Sequence, residues 1–248
     1  MGLLTNLALF AGVGGLELGA RRVGGFKTVC YVERDPYAQA VLMSRMRDGS
    51  LDDAPIWDDV TTFDGRPWRG LVDVVSGGFP CQDISSSGAK EGTNGARSGL
   101  YIEFIRLLRE ISPRFALMEN VSDLLYRGMG DVLSGLAEVG YDAEWNVIPA
   151  CFVGLPQARE RVWIVAYPCG RGRDRSQERN IEGPRFKLRN DDDRLALGQH
   201  RAREATSRIR RMDDGMDFGV DRLRCCGNGV VPEQSIPAWQ TIKEIAGA

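Results

Sequence analysis

Reactive side chains stand at the ends of three apolar runs in this sequence. Cys81 follows one run in a glycine-rich turn, and Glu119 stands near the end of the next. Arg159 and Arg161 open a third run two residues apart, so strand alternation places both on one face. A thiolate is a nucleophile, a carboxyl group among apolar neighbours can act as an acid, and paired arginines can hold an anionic or carbonyl target. Together they favour nucleophilic catalysis with acid assistance, although each alone also fits a buried thiol or a solvated strand end.

A turn rich in glycine follows the first apolar run. Gly12, Gly14 and Gly15 allow the backbone to turn sharply and to approach a ligand, with the N–H groups of the next helix facing it. Glu33 ends the second apolar run, where a carboxylate can accept hydrogen bonds from ribose hydroxyls. The turn lacks the third glycine of the dinucleotide fingerprint. The turn and Glu33 together favour a ligand of the adenosine type.

The apolar runs alternate with segments of helical spacing along most of the chain. Continuous apolar runs predict strands over 5–10, 28–32, 71–76, 115–121, 144–150 and 161–167. Helical spacing predicts helices that begin near Leu16 and at Pro36, span Ile102 to Ile111, run from Ser122 to Leu136, and close the chain from Pro232 to near Ile245. This alternation predicts an α/β fold with a mainly parallel sheet, whose carboxyl edge gathers the strand-end residues.

Length and composition fit a globular enzyme without disulfides. The chain has 248 residues and a net charge of -2, and it has no run of about 18 apolar residues that could cross a membrane. Its start lacks the basic segment and cleavage site of a secretory signal. The six cysteines form no CxxC motif and His200 is the only histidine, which argues against a zinc site and a serine–histidine–aspartate triad. We therefore expect a cytoplasmic protein with reduced thiols, no metal and no membrane partner.

The composition of the chain changes after Pro168. Arginine, aspartate and glycine dominate 169–224, basic residues outnumber acidic ones there, and apolar residues are too few for a large core. Residues 1–168 plus 225–248 are therefore predicted to form one domain, with 169–224 as a small region inserted into it. Arginines can contact phosphates and guanine edges, so the insert is a weak indication of nucleic-acid binding.

The motifs, taken in order, resemble those of the DNA cytosine-5-methyltransferase family. LALFAGVGGLELGA is similar to the family's cofactor loop, DDVTTF to its adenine-contacting segment and GGFPCQDISSSG to its catalytic loop. GLYIEFIRLL matches the helix that follows, MENV the ENV motif, PQARERVWIV the QxRxR strand and GNGVVP the final motif. The resemblance covers nearly all of 5–168 and 225–246. It implies a Rossmann-like sheet that binds S-adenosylmethionine (SAM), with 169–224 as a small target-recognition region.

The resemblance implies methyl transfer from SAM to carbon 5 of cytosine in double-stranded DNA, within a short sequence context. Cys81 would add to carbon 6 of a base flipped out of the duplex, forming a covalent adduct. Glu119 would hydrogen-bond to the ring nitrogen or protonate it. Arg159, with Arg161 beside it, would hold the carbonyl oxygen and the developing negative charge. These four residues are the implied catalytic set.

The resemblance also implies which residues bind the cofactor and the DNA. The cofactor set comprises Phe10, Gly12, Gly14, Gly15, Leu16, Glu33, Arg34, Asp59, Val60, Gly78, Pro80, Leu100, Asn228 and Val230. The DNA set comprises Gln82, Ser85, Ser87, Gln157, Arg185 and Arg189. The expected partner is double-stranded DNA, and a cognate restriction endonuclease can accompany the enzyme. The protein is expected to be a monomer that acts at the nucleoid of a bacterial cell.

Three other functions stay open at this point. A tRNA cytosine-5-methyltransferase would share the scaffold, but its Cys-Phe-Thr signature is absent, because Val153 follows Cys151 and Phe152. A DNA-binding relic with weak catalysis would be expected to have lost a catalytic residue, and all are present. A nucleotide-dependent oxidoreductase would be expected to carry the third glycine. The main departure from the methyltransferase family is the segment 169–224, which is shorter than the recognition region of most members.

Overall fold

The residues that the structure describes form a seven-stranded sheet with helices on both of its faces. The computed structural model describes residues 2–79, 99–170 and 229–248. The strands are β1 (Leu4–Leu9), β2 (Phe26–Val32), β3 (Ile56–Trp57), β4 (Val74–Gly78), β5 (Phe115–Val121), β6 (Tyr141–Pro149) and β7 (Glu160–Pro168). Within the described ranges the α-helices are α1 (Gly15–Val23), α2 (Pro36–Arg47), α3 (Leu100–Ile111), α4 (Leu124–Arg127), α5 (Met129–Glu138) and α6 (Pro232–Ala246).

The strand order β3-β2-β1-β4-β5-β7-β6 places the first strand of the chain inside the sheet. β1 to β5 run parallel, whereas β7 is antiparallel to both β5 and β6. The direction in which strands are added reverses between β1 and β4, and open α/β sheets bind ligands at the carboxyl edge beside such a point. The predicted α/β fold with a mainly parallel sheet is confirmed.

Strand alternation gives the two faces of the sheet separate apolar cores. On one face, Phe104 and Leu108 of α3 pack in the same cluster as Val132 of α5. On the other face, Trp239 of α6 and Trp163 of β7 belong to a second cluster, and both indoles are fully buried. Strands that are covered on both faces need apolar residues at successive positions, which explains the continuous apolar runs in the sequence.

The C-terminal helix α6 is docked on α1 by close contacts. The Trp239 Nε1 donates a hydrogen bond to the carbonyl oxygen of Leu16 at 3.0 Å. A Cβ atom on Gly19 would lie 1.8 Å from the Oγ of Ser235, so a larger residue on α1 would push the two helices apart. The segment 229–248 therefore packs with the first helix of the chain, although it is the last segment in sequence.

β4 begins three residues later than the sequence predicts and also ends later. The predicted strand starts at Leu71, but that side chain is 66% exposed and β4 begins at Val74. Asp73 separates the two, because its Oδ2 accepts a hydrogen bond from the backbone N–H of Thr5 at 3.0 Å. The apolar run therefore begins before the strand does. The apolar pattern alone did not show that Asp73, which is bonded to Thr5, precedes the first residue of β4.

The helix predicted from Ser122 to Leu136 is two helices, α4 and α5. Gly128 separates them, because its backbone conformation (φ −171°, ψ 0°) lies outside the helical region. Asp123, not Ser122, is the residue that precedes α4, and it makes no side-chain capping hydrogen bond. Among the helices of the described ranges, none has the length and apolar character needed to cross a membrane.

A buried carboxyl group on α1 makes the stability of the fold depend on pH. Glu17 is buried, and its Oε1 accepts a hydrogen bond from the Oγ of Ser76 at 3.5 Å. Burial is the main cause that raises the pKa of Glu17 to about 7. The folded protein therefore holds a proton that the unfolded chain loses near the ordinary glutamate pKa, and stability falls as the pH rises between these two values.

Glu17→Gln is expected to remove this pH dependence, because an amide does not ionise. The free energy of unfolding of the variant minus that of the wild type should be more favourable to the variant at pH 8 than at pH 5, by roughly 2 to 3 kcal/mol. Urea unfolding of both proteins at the two pH values measures this difference, and any constant cost of the amide cancels in it. Equal pH dependence in the two proteins would contradict the prediction.

Candidate active site at the carboxyl edge of the sheet

The turn between β1 and α1 has a backbone that folds back on itself. Phe10, Gly12 and Gly14 all have positive φ angles, of 52°, 54° and 81°. Phe10 is not glycine, and a positive φ in such a residue persists only where the surroundings hold it. The N–H of Gly14 donates to the carbonyl oxygen of Ala11 at 2.8 Å, which closes the turn. The turn therefore lies between the carboxyl end of β1 and the start of α1, at the carboxyl edge of the sheet.

Glu33 is anchored at the end of β2 by two backbone N–H groups. Its Oε2 accepts a hydrogen bond from the N–H of Gly12 at 2.7 Å, and its Oε1 accepts one from the N–H of Asp35 at 2.8 Å. The carboxylate therefore joins the β1–α1 turn to the end of β2. Each carboxylate oxygen has a further lone pair that can accept a hydrogen bond from a ligand hydroxyl. Arg34, the next residue, is exposed.

A third part of the edge is the segment that follows β3. The N–H of Glu33 donates to the carbonyl oxygen of Trp57 at 2.9 Å, so the ends of β2 and β3 lie side by side. Asp59 Oδ1 accepts hydrogen bonds from the side chain and the N–H of Thr61, and these bonds hold the pKa of Asp59 below its ordinary value. Val60 is buried, and its carbonyl oxygen accepts a hydrogen bond from Arg106 of α3 at 2.9 Å.

Glu119 lies in a buried position at the end of β5. It is 8% exposed, and the Nε of Arg161 on β7 contacts its Oε1 at 2.9 Å. A Cβ atom on Gly78 of β4 would lie 2.7 Å from Glu119 Oε2, so the carboxyl group packs directly on the backbone of the neighbouring strand. Burial raises the pKa of Glu119, whereas the charges of Arg161 and Arg159 act in the opposite direction. A carboxyl group in this environment is suited to hold or donate a proton.

The two arginines of the QARER segment have different contacts. The Nε of Arg161 contacts the Oε1 of Glu119 at 2.9 Å, whereas the Nη2 of Arg159 donates to the carbonyl oxygen of Gly229 at 2.7 Å. Arg161 lies on the sheet face that α6 covers, with Trp163 of the same strand, whereas Arg159 precedes β7. The charge of Arg159 still acts on Glu119. The direct contact to the carboxyl group therefore belongs to Arg161, although the resemblance gave the more prominent role to Arg159.

Asn120 is a site residue that the sequence analysis did not assign. Its Nδ2 donates a hydrogen bond to the carbonyl oxygen of Phe79 at 3.0 Å, and the amide is buried. Phe79 is the last described residue before the segment that contains Cys81. Asn120 therefore fixes the point at which that segment leaves β4. The only sequence signal for it was its place beside Glu119 at the end of a predicted strand.

The other residues that the resemblance assigns to the site range from buried to exposed, and some lie outside the described residues. Leu16 is buried in the core that α1 shares with α6, whereas Leu100 begins α3 and is half-buried. A Cβ atom on Gly15 would lie 2.3 Å from the carbonyl oxygen of Val230, so these two expected cofactor residues are in contact. Gln157 is exposed in the turn before β7. The expected residues that lie outside the described part of the chain are Pro80, Cys81, Gln82, Ser85, Ser87, Arg185, Arg189 and Asn228.

The described part of the site has two halves, both at the carboxyl edge of the sheet. One half contains Glu33 and the β1–α1 turn, and the other contains Glu119 with its arginines. In residues 2–79, 99–170 and 229–248 no three His, Cys, Asp or Glu side chains come together as a candidate metal site. The arrangement can hold a hydroxyl-bearing ligand at one half and can donate a proton at the other.

Bacterial methyltransferases are similar in sequence to about two thirds of this chain. The type II methyltransferase M.Eco47II from Escherichia coli is 39% identical over 167 residues, which cover 65% of this chain and 39% of that protein. The type II methyltransferase M2.BsuMI from Bacillus subtilis is 36% identical over 168 residues, which cover 64% of this chain and 41% of that protein. The aligned part thus spans about two fifths of the length of these relatives.

A solved structure and a family model agree with these relatives. The structure of a putative DNA modification methyltransferase encoded within an Escherichia coli prophage has a TM-score of 0.52 and 27% identity, and the match covers 72% of this chain and 49% of that one. The family model for C-5 cytosine-specific DNA methylase matches residues 4–217, most of the chain. The resemblance seen in the motifs is confirmed, and the chain belongs to the C-5 cytosine-specific DNA methylase family.

Proposed function

We propose that this protein transfers a methyl group from SAM to carbon 5 of cytosine in double-stranded DNA. The observation that carries the proposal is Glu119, a buried carboxyl group with a raised pKa that pairs with Arg161 at the carboxyl edge of the sheet. Membership of the family gives this carboxyl group its chemical context, since the relatives are named as type II methyltransferases. We expect the protein to act in a bacterial cell, with DNA as its partner.

The first half of the edge suits the cofactor. Glu33 is held by two backbone N–H groups and keeps acceptor capacity for the ribose hydroxyls of SAM. The amino-acid part of SAM would lie against the turn from Phe10 to Gly12. The adenine would lie near Asp59 and Val60, which follow β3 where its end lies beside that of β2. When bound there, SAM supplies an electrophilic methyl group.

Glu33→Gln is expected to weaken SAM binding by about 10- to 100-fold. A carboxylate has two acceptor oxygens, whereas an amide has one, so the variant cannot accept hydrogen bonds from both backbone N–H groups and also from the ribose hydroxyls. Isothermal titration calorimetry with SAM measures the change. Glu138→Gln is the matched control, since Glu138 is an exposed glutamate at the end of α5. A dissociation constant for the Glu33 variant equal to that of the control would contradict this assignment.

The second half of the edge suits the base. Cys81 adds as a thiolate to carbon 6 of cytosine, and the carbon–sulfur bond forms as the protonated Glu119 gives its proton to the ring nitrogen. The ring becomes an enamine whose carbon 5 is nucleophilic and can accept the methyl group. Arg161 orients Glu119, and Arg159 holds the carbonyl oxygen. The bond between the methyl group and the SAM sulfur would break as the bond to carbon 5 forms, and S-adenosylhomocysteine would leave. Water then takes the proton from carbon 5 as the carbon–sulfur bond to Cys81 breaks, and the proton on the ring nitrogen returns to Glu119, which gives 5-methylcytosine.

The burial of Glu119 supports a base that leaves the duplex. The carboxyl group is 8% exposed and packs on the β4 backbone, so a stacked base cannot present its ring nitrogen to it. We propose that the target cytosine is flipped out into this edge. We assign sequence recognition to the inserted region 169–224, nearly all of which lies outside the described residues.

Base-resolution sequencing of cytosine methylation tests the proposed function. The chain is expressed in a host that has no cytosine methylation, and plasmid DNA is compared with DNA from cells that carry an empty vector. We expect 5-methylcytosine in one recurring short sequence. If the folded protein leaves plasmid DNA unmethylated, the proposal is wrong. Methylcytosine found in the tRNA of the same cells would then favour the tRNA methyltransferase instead.

A further inference from the structure

A glutamine in the first turn of α6 reaches across to the β6–β7 hairpin. Gln234 is fully buried, and its Nε2 donates hydrogen bonds to the carbonyl oxygens of Ile148 at 2.6 Å and Arg159 at 2.8 Å. A side-chain amide nitrogen has two N–H donors, and both are used here. The reverse orientation of the amide would place an acceptor against two carbonyl oxygens, so the contacts fix which atom is the nitrogen.

Arg159 is held at its backbone and at its side chain by the same short segment. Its carbonyl oxygen accepts from Gln234 and also from the N–H of Ala150, each at 2.8 Å. Its guanidinium Nη2 donates to the carbonyl oxygen of Gly229 at 2.7 Å. Residues 229–234 therefore contact both the backbone and the guanidinium group of Arg159.

Gln234 is a poor choice for stability alone. Its Oε1 is buried, and the described residues supply no hydrogen-bond partner for that atom. A buried acceptor without a partner costs about 1 to 3 kcal/mol. An apolar side chain of the same size would fill the space without this cost, although it would remove one donor from each of the carbonyl oxygens of Ile148 and Arg159. The amide therefore fits a role in placing the hairpin better than a role in packing.

We propose that Gln234 is a positioning residue for methyl transfer, which fixes Arg159 relative to Glu119. The inference rests on the proposed function for its effect on rate, whereas the contact to Arg159 stands on the geometry. Arg159 acts electrostatically on Glu119, so a shift of its guanidinium changes the environment of the carboxyl group. Reacting groups that are displaced by about 1 Å can lose about 100-fold in rate.

Gln234→Met tests the inference, because methionine keeps the volume and removes both donors. The matched control is Thr241→Val, since Thr241 is also buried on α6 but donates only within the helix, to the carbonyl oxygen of Pro237 at 3.0 Å. The first readout is modification of Arg159 by phenylglyoxal, measured by peptide mass spectrometry on the folded proteins. We expect Arg159 to react several-fold faster in Gln234→Met and at the wild-type rate in the control.

The second readout is the single-turnover rate of methyl transfer at saturating SAM and DNA. We expect Gln234→Met to lower it by about 10- to 100-fold, with the dissociation constant of SAM unchanged within about twofold. Combined with Arg159→Lys, it should add little to the loss caused by Arg159→Lys alone, because both act through one side chain. If Gln234→Met does not fold, Gln234→Leu, which also removes both donors and has a smaller side chain, takes its place.

The two readouts separate this inference from the proposed function. Unchanged modification of Arg159 would overturn the positioning role whatever the activity. An equal loss of rate in Thr241→Val, or a fully additive loss with Arg159→Lys, would also overturn it. A wild-type chain that methylates nothing would count against the proposed function, and the modification of Arg159 would still decide whether Gln234 holds it.

Discussion

Cys81→Ser is expected to abolish methyl transfer, with a loss of at least about 10⁴-fold, while SAM still binds. Serine is nearly the same size, but its hydroxyl does not ionise near neutral pH and is a weak nucleophile without an activating base. Cytosine would then not gain the covalent bond at carbon 6 that makes carbon 5 reactive. The measurement is transfer of a radiolabelled methyl group to DNA, with SAM binding followed by calorimetry.

Cys169→Ser is the control for this experiment. Cys169 is a free and exposed cysteine in the described part of the chain, just beyond the end of β7. We expect this variant to keep the wild-type rate, which would show that loss of a thiol as such is harmless. Wild-type activity in Cys81→Ser would rule out the covalent mechanism and leave the family assignment in place.

Glu119→Gln is expected to lower the rate by about 10²- to 10⁴-fold, because an amide can donate a hydrogen bond but cannot transfer a proton. Burial raises the pKa of Glu119, so the carboxyl group keeps its proton to a higher pH than an exposed glutamate does. In the wild type the rate should fall as the pH rises through this raised pKa. The pH–rate profile of the variant should lack that alkaline decline, which single-turnover assays across the pH range would show.

Glu144→Gln provides the matched comparison. Glu144 is a buried glutamate on β6, and its Oε1 accepts a hydrogen bond from the Tyr167 hydroxyl at 2.7 Å, away from the carboxyl edge. Its amide replacement retains an acceptor for that hydroxyl, so we expect the rate to change by less than about twofold. A Glu119→Gln rate within the same range would remove the acid role assigned to Glu119.

The sequence predicted the parts of the site that depend on local order along the chain. Glu33 and Glu119 were found because each stands where an apolar run ends, and parallel strands bring such ends to one edge. The two arginines were placed on one face by alternation, but the sequence did not show which of them touches Glu119. That contact depends on the antiparallel register of β7 on β5, which pairs Arg161 with Val121.

The role of Gln234 was missed for a related physical reason. Its hydrogen-bond partners are backbone carbonyl oxygens of Ile148 and Arg159, and every residue carries such a group. A glutamine in the first turn of a helix therefore reads as an ordinary solvated residue until the packing of α6 is known. The start of β4 was also set by a distant contact, between Asp73 and Thr5.

The docking of α6 on α1 also affects how much the length of the region 169–224 can change without loss of stability. The hydrogen bond between Trp239 and Leu16 joins residues 223 positions apart, so the core of this face is closed only after the ribosome has made the inserted region. The entropy of closing a flexible loop grows only with the logarithm of its length, and doubling the length costs about 0.6 kcal/mol. The segment between β7 and α6, which we propose to recognise the target sequence, can therefore vary in length during evolution at little cost in the stability of the finished domain.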